Sequence, residues 1–83
     1  MQSIDLEKRI PRQNLYRFYR MAILPSLFGE WSLEREWGRI GTRGRMRLDW
    51  YKTNTETSTD MDDLLAFKTS KGYTTRPVQL SLF

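Results

Sequence analysis

The chain has 83 residues, 39% hydrophobic and 13% aromatic against 29% charged, which bounds a single small folded domain and excludes the disordered and fibrous classes. It has no cysteine and no histidine, so disulfides, thiolate nucleophiles, imidazole bases and the usual zinc ligand sets drop out together, and no metal or cofactor is expected. Fourteen Lys or Arg against ten Asp or Glu leave a net charge of +4, and ten of the cations are Arg, whose planar fork suits phosphate and stacks on bases; the balance points to a polyanionic partner.

Taken in chain order, residues 1–14 alternate weakly through Ile4 and Leu6 and then meet Arg9, Pro11, Arg12 and Asn14, which reads as an N-terminal arm. Leu15 to Leu24 is rich in aromatic and β-favouring residues and closes on Pro25-Ser26, the first expected strand. Past Gly29 a period of two returns, with Trp31, Leu33, Arg35, Trp37 and Arg39 on one side. That side changes from apolar to basic, so the second strand is expected to run out of the core near Arg35 and leave Trp37 exposed. Gly41 to Gly44 supplies a tight turn. A third strand follows, with Met46, Leu48 and Trp50 on an apolar side and Arg45, Arg47 and Asp49 on a wet one.

Thr53 to Thr59 reads as a loop leading to a helix from Thr59 to Lys71, capped at Ser58 or Thr59, with acids in its first turn and a stripe of Met61, Leu64, Leu65 and the stem of Lys68. Tyr73 to Phe83 is extended in character and broken by Pro77. These elements give an α+β class: a twisted antiparallel sheet of three to four strands with one helix on its apolar face. No apolar run is long enough to span a bilayer and the first twenty residues are polar, so a soluble, cytoplasmic protein is expected, in reach of the nucleoid.

The run Glu36-Trp37-Gly38-Arg39-Ile40-Gly41-Thr42-Arg43-Gly44, with a matched strand on each side and a helix after it, resembles the signature of the WGR domain family. The resemblance covers roughly residues 15–76, with 1–14 as the arm and 77–83 as a C-terminal tail, and is closest in kind to small stand-alone bacterial members. It departs in a shorter, more acidic helix with a threonine-rich approach. The resemblance implies nucleic-acid binding, DNA in preference to RNA: in the related domain of poly(ADP-ribose) polymerases the motif Trp lies against a terminal nucleotide and the motif Arg links DNA to neighbouring domains. The catalytic part of those enzymes is a separate domain for which this chain has no room. The acids here cluster mainly at a helix start, where capping explains them, so no enzyme is expected.

The residues expected to carry binding are Arg35, Trp37, Gly38, Arg39, Arg43, Arg45 and Arg47. Trp37 between Arg35 and Arg39 has the composition of a stacking platform, although a strand tryptophan is commonly a core residue. Gly38 permits a close backbone approach, or a β-bulge. Arg45 and Arg47 are expected on the solvent side of the third strand, but Glu34, Glu36 and Asp49 are near enough to neutralise some of these arginines.

A second resemblance lies in Gln79-Leu80-Ser81-Leu82-Phe83, which is similar to the short peptide by which bacterial replication and repair proteins dock on the sliding clamp. Leu80, Leu82 and Phe83 would be apolar anchors and Gln79 a polar orienting group. The competing reading makes this segment a last strand covering the sheet edge.

Overall fold

A computed structural model describes residues 2–75 of the chain. Five strands, β1 (Gln2–Ile10), β2 (Leu15–Pro25), β3 (Trp31–Arg39), β4 (Arg45–Tyr51) and β5 (Thr74–Thr75), form an antiparallel sheet in the order β4-β3-β2-β1-β5. One helix, α1 (Asn54–Ser70), crosses one side of it. The α+β class expected from the sequence is therefore the class observed, with a wider sheet.

The added width comes from both ends of the described chain, laid on one edge of the sheet beside β2. Gln2–Ile10, expected to be an arm, is a full strand paired along its length with β2. Its even residues alternate toward the helix and Leu6 is 1% exposed. Pro11 does not break the strand; it opens a single 3-10 turn, where its fixed φ and missing N–H cost nothing. Asn14 ends that turn in the left-handed region at φ 51°, a conformation asparagine tolerates better than most residues. Tyr73 then returns the chain to the sheet and Thr74 and Thr75 pair with Glu7 and Leu6.

The helix also starts earlier than expected. Thr53 is its N-cap, the Thr53 hydroxyl accepting from the Glu56 amide at 3.1 Å. The threonine-rich stretch read as a loop is the first two turns, in which the Thr57 and Thr59 hydroxyls donate to the carbonyls of Thr53 and Thr55 at 2.8 and 2.9 Å. Thr57 is fully buried against the sheet, so packing holds a segment that local propensity leaves indifferent. Met61 is buried, and Leu64 and Leu65 pack on the cluster of Leu6, Tyr19, Met21, Ile23, Leu33 and Tyr73. The Tyr51 hydroxyl donates to Asp60 and ties α1 to β4; burial and then that carboxylate push the Tyr51 phenol up to about 12.

Register decides which way β4 faces. Trp31, Leu33, Arg35 and Trp37 pair with Tyr51, Asp49, Arg47 and Arg45, so Arg45, Arg47 and Asp49 lie on the helix side. This corrects the sequence reading that put the arginines on the side away from the core. Met46, Leu48 and Trp50 instead line the side without a helix and are 61%, 41% and 55% exposed. Alternation fixes the period of a strand but not which of its sides meets the helix.

Candidate nucleic-acid interface

The helix side of the sheet is best read in rows across the strands. Gln2, Ile23, Leu33 and Asp49 form one row, then Ile4, Met21, Arg35 and Arg47, then Leu6, Tyr19, Trp37 and Arg45, and finally Lys8, Arg17 and Arg39. The rows pass from apolar to basic along the strands, and α1 lies over the apolar end through Met61, Leu64 and Leu65. Side chains directly opposite on neighbouring strands interact, and like charges there are unfavourable by a few tenths to about 1 kcal/mol. Lys8, Arg17 and Arg39 make such a row, and no carboxylate forms a salt bridge with any of them among the described residues. The Lys8 ammonium donates to the Lys71 carbonyl at 2.6 Å, at the end of α1, a partner that carries no negative charge.

At this basic end the surface is hollowed into a concavity of about 650 Å³, whose walls include Arg17, Tyr19, Trp37, Arg39, Lys68 and Tyr73. Trp37 does not protrude as the sequence suggested. It is half-buried against the core, its ring nearly parallel to that of Tyr19 with centroids 6.0 Å apart, and its remaining surface lines the hollow. Tyr73 meets Tyr19 edge to face at 6.3 Å. Lys68 reaches down from α1 with its ammonium 4.4 Å from the Tyr19 ring centre and 5.4 Å from that of Tyr73. Burial, and then the charges of Arg17 and Arg35, lower the Lys68 pKa from its ordinary value.

The arginines divide into two groups. Arg35 is committed: it donates to Asp49 at 2.7 Å with its side chain only 17% exposed. Burial opposes the Arg35 charge, but the hydrogen bond to Asp49 and the interaction with Tyr19 outweigh it, and its pKa rises. Arg47 shares the same carboxylate at 3.1 Å while staying largely exposed. Asp49 is held below the usual carboxylate range, because donation from Arg35 and Arg47 overcomes the cost of burial. The other group is uncommitted. Arg43 and Arg45 are exposed on and beside the turn after Trp37, and Arg17 is exposed beside the hollow, with no carboxylate on any of the three among the described residues. Arg39 lies over the Tyr16 ring at 5.5 Å and donates to Asn14 through its carbonyl and side chain, both at 3.3 Å.

Gly38 and Gly44 have a mechanical reason. A Cβ on Gly38 would stand 2.7 Å from the Gly44 Cα, and one on Gly44 would collide with the Trp37 carbonyl; Gly44 also has φ 72°. The turn carrying Arg43 is thus folded flat against the strand carrying Trp37. Of the backbone roles the sequence allowed for Gly38, close approach is the one observed.

Sequence reasoning missed Arg17, Tyr19, Lys68 and Tyr73. Arg17 and Tyr19 were findable, since antiparallel pairing of the first two expected strands would have set them opposite Arg39 and Trp37. Lys68 was recognised for its stem alone. The second cleft, about 360 Å³ between β4 and α1, is lined by Arg35, Arg47, Asp49, Tyr51, Asp60 and Asp63; its charges answer one another, so it offers a polyanion little. Gln79, Leu80, Leu82 and Phe83 lie outside the described residues. Among the described residues no group of His, Cys, Asp or Glu is placed to hold a metal, and no helix is long and apolar enough to cross a membrane.

The family model described as the WGR domain matches residues 2–79. A relative from Sinorhizobium fredii, described as an uncharacterized protein, is 40% identical over 72 residues, covering 87% of this chain and 35% of the relative. The chain therefore spans about a third of the length of that relative.

Proposed function

Since the chain belongs to the WGR domain family, a non-catalytic family of nucleic-acid-binding modules, we propose that it binds DNA in the hollow lined by Trp37, Tyr19, Arg17 and Arg39, with Lys8 continuing the row of Arg17 and Arg39 beside it. That row carries the proposal. Three cations opposite one another, with a fourth in Lys68 above them, repel one another in the free protein, and a phosphate chain laid along the hollow removes the repulsion. Trp37, braced from behind by Tyr19, offers a base or sugar a flat surface already fixed in place, so little side-chain freedom is lost on stacking. Arg43 and Arg45 extend the basic rim toward the turn, and Arg47 stands beside it on the same side. Arg35 acts at one remove by holding Asp49 and the strands around Trp37.

Arginine contacts of this kind read phosphate rather than base edges, so the interaction is expected to be tolerant of sequence. A salt-titrated binding assay comparing blunt duplex, nicked duplex, single-stranded DNA and RNA tests the proposal. With about four cations on phosphates, log affinity is expected to fall against log salt with a slope near −3 to −4 on duplex, and DNA is expected to bind more tightly than RNA. A flat salt response, or affinity indifferent to Trp37→Ala at low salt, would reject it. A role as an adaptor on the bacterial sliding clamp rests on Gln79 to Phe83 alone. Its test is whether deletion of those residues abolishes retention of purified clamp.

A further inference from the structure

β4 ends the sheet, so one of its edges has no strand beside it among the described residues. An open edge is a template for another strand, and exposed edges are ordinarily blunted by charge, proline or brevity. β4 is seven residues long with no proline, and its two central charges, Arg47 and Asp49, are arranged so that a copy of the same strand pairs them. Around Leu48 the sequence is self-complementary: Arg47 and Asp49 flank it with opposite charges, Met46 and Trp50 follow as apolar residues, and Arg45 and Tyr51 come last.

We infer that a second copy of this chain adds antiparallel to the β4 edge, with Leu48 of the two copies meeting on the two-fold axis. In that register Met46 lies opposite Trp50 of the second copy, Leu48 opposite Leu48, Arg47 opposite Asp49, and Arg45 opposite Tyr51, each pair occurring twice except the central one. The exposed stripe of Met46, Leu48 and Trp50 is then covered on its edge side by its own repeat. The neighbouring registers are disfavoured. Sliding by one residue pair, which keeps the side chains on the same faces, sets Arg47 against Arg47 or Asp49 against Asp49. Asp49 keeps Arg35 at 2.7 Å, while Arg47, 62% exposed and 3.1 Å from Asp49 of its own strand, can exchange that carboxylate for Asp49 of the second copy. Seven residues of edge make a small interface, so the association is weak and concentration-dependent. Antiparallel addition about an axis normal to the sheet keeps both helices on one side and brings two Lys8–Arg17–Arg39 rows onto one continuous face.

The chain has no cysteine, so single-cysteine variants report the register directly. Directly opposed residues of an antiparallel pair lie within disulfide reach, but only on the axis does a residue oppose its own copy. Under mild oxidation Leu48→Cys is expected to cross-link about ten times faster than Met46→Cys or Trp50→Cys alone, while a mixture of those two variants forms the heterodimer. Leu48→Lys sets two ammonium groups together and is expected to abolish self-association in sedimentation equilibrium with circular dichroism unchanged. Sedimentation as a monomer at every concentration up to about 1 mM, or a Leu48→Cys chain that cross-links no faster than the two flanking variants, would overturn the inference. So would a Leu48→Lys chain that still dimerises.

Discussion

The two sides of the sheet solve the same electrostatic problem in opposite ways. On the side without the helix, Asp5, Arg20, Glu36 and Met46 share a row, and Arg20 bridges the acids on either hand, 2.9 Å from Asp5 and 3.1 Å from Glu36. Arg9 on that side is likewise matched, to Glu7 at 3.3 Å. On the helix side the corresponding row at the basic end is Lys8, Arg17 and Arg39, with no acid among them. On one side both strand arginines are answered by acids; on the other the basic row has no acid partner among the described residues. Net charge alone does not separate these cases, since +4 spread evenly would bind polyanions weakly and without orientation.

The sharpest way to break this contrast is to reverse the sign of the basic end. Arg17→Glu with Lys68→Glu is expected to weaken duplex binding by about 100-fold, about 2.7 kcal/mol. Glu34→Gln on the other side is expected to change it by less than about twofold. Equal effects from the two variants in a fluorescence-anisotropy titration would mean that only overall charge matters.

A smaller effect is expected from Asp49, the carboxylate of β4 that pairs with arginines on the helix side. Asp49→Asn leaves the part-buried Arg35 without its anion and is expected to lower stability by about 2 kcal/mol in thermal or urea unfolding. Because the folded protein holds the Asp49 pKa below its ordinary value, its contribution is present above the unfolded carboxylate pKa and is lost as pH falls through the lowered folded value. The stability difference between wild type and variant is therefore expected to close in acid, and a gap that persists there would contradict this.

Stacking ranks third. Trp37→Ala is expected to cost about tenfold in affinity, about 1.4 kcal/mol. Because Trp37 also packs on Tyr19, the melting temperature is expected to drop as well. Trp37→Phe keeps the packing and should recover the melting temperature more fully than the affinity.

How far the sequence reveals this arrangement depends on what set each feature. The strands β2, β3 and β4 were legible because their alternation and turn chemistry are local. β1 was obscured because only Leu6 of it is fully buried and its outward side carries Asp5, Glu7 and Arg9, so its strandedness comes from pairing with β2. The first turns of α1 were hidden for a similar reason: Thr57 is helical because the sheet buries it. In the site, the motif residues Trp37, Gly38 and Arg39 could be read from their own order. Arg17, Tyr19 and Lys68 join them only through register and helix placement, which a linear pattern does not encode. The half-burial of Trp37 follows from the same cause, since the ring that covers it belongs to another strand.

The smallest expected effect is in pH. Lys68 has its pKa lowered by burial and by Arg17 and Arg35, so it sheds its proton sooner on the alkaline side than an ordinary lysine. If Lys68 contacts phosphate as proposed, its protonated form is the binding one, so affinity is expected to fall modestly as pH rises toward that lowered value, and Lys68→Arg is expected to flatten the profile. A wild-type profile as flat as that of the variant would remove Lys68 from the interface.

The three tryptophans mark three places: Trp37 at the hollow, Trp50 on the side without a helix, and Trp31 at the far end of β3. Titrating a short DNA duplex into isotope-labelled protein and following the three indole N–H resonances therefore reads the location of binding directly. The Trp37 resonance is expected to move further than either of the others, together with the backbone amides of Arg17, Tyr19 and Lys68. A Trp37 resonance that stays in place while that of Trp50 moves would contradict the claim that nucleic acid lies along the uncompensated basic end of the helix side.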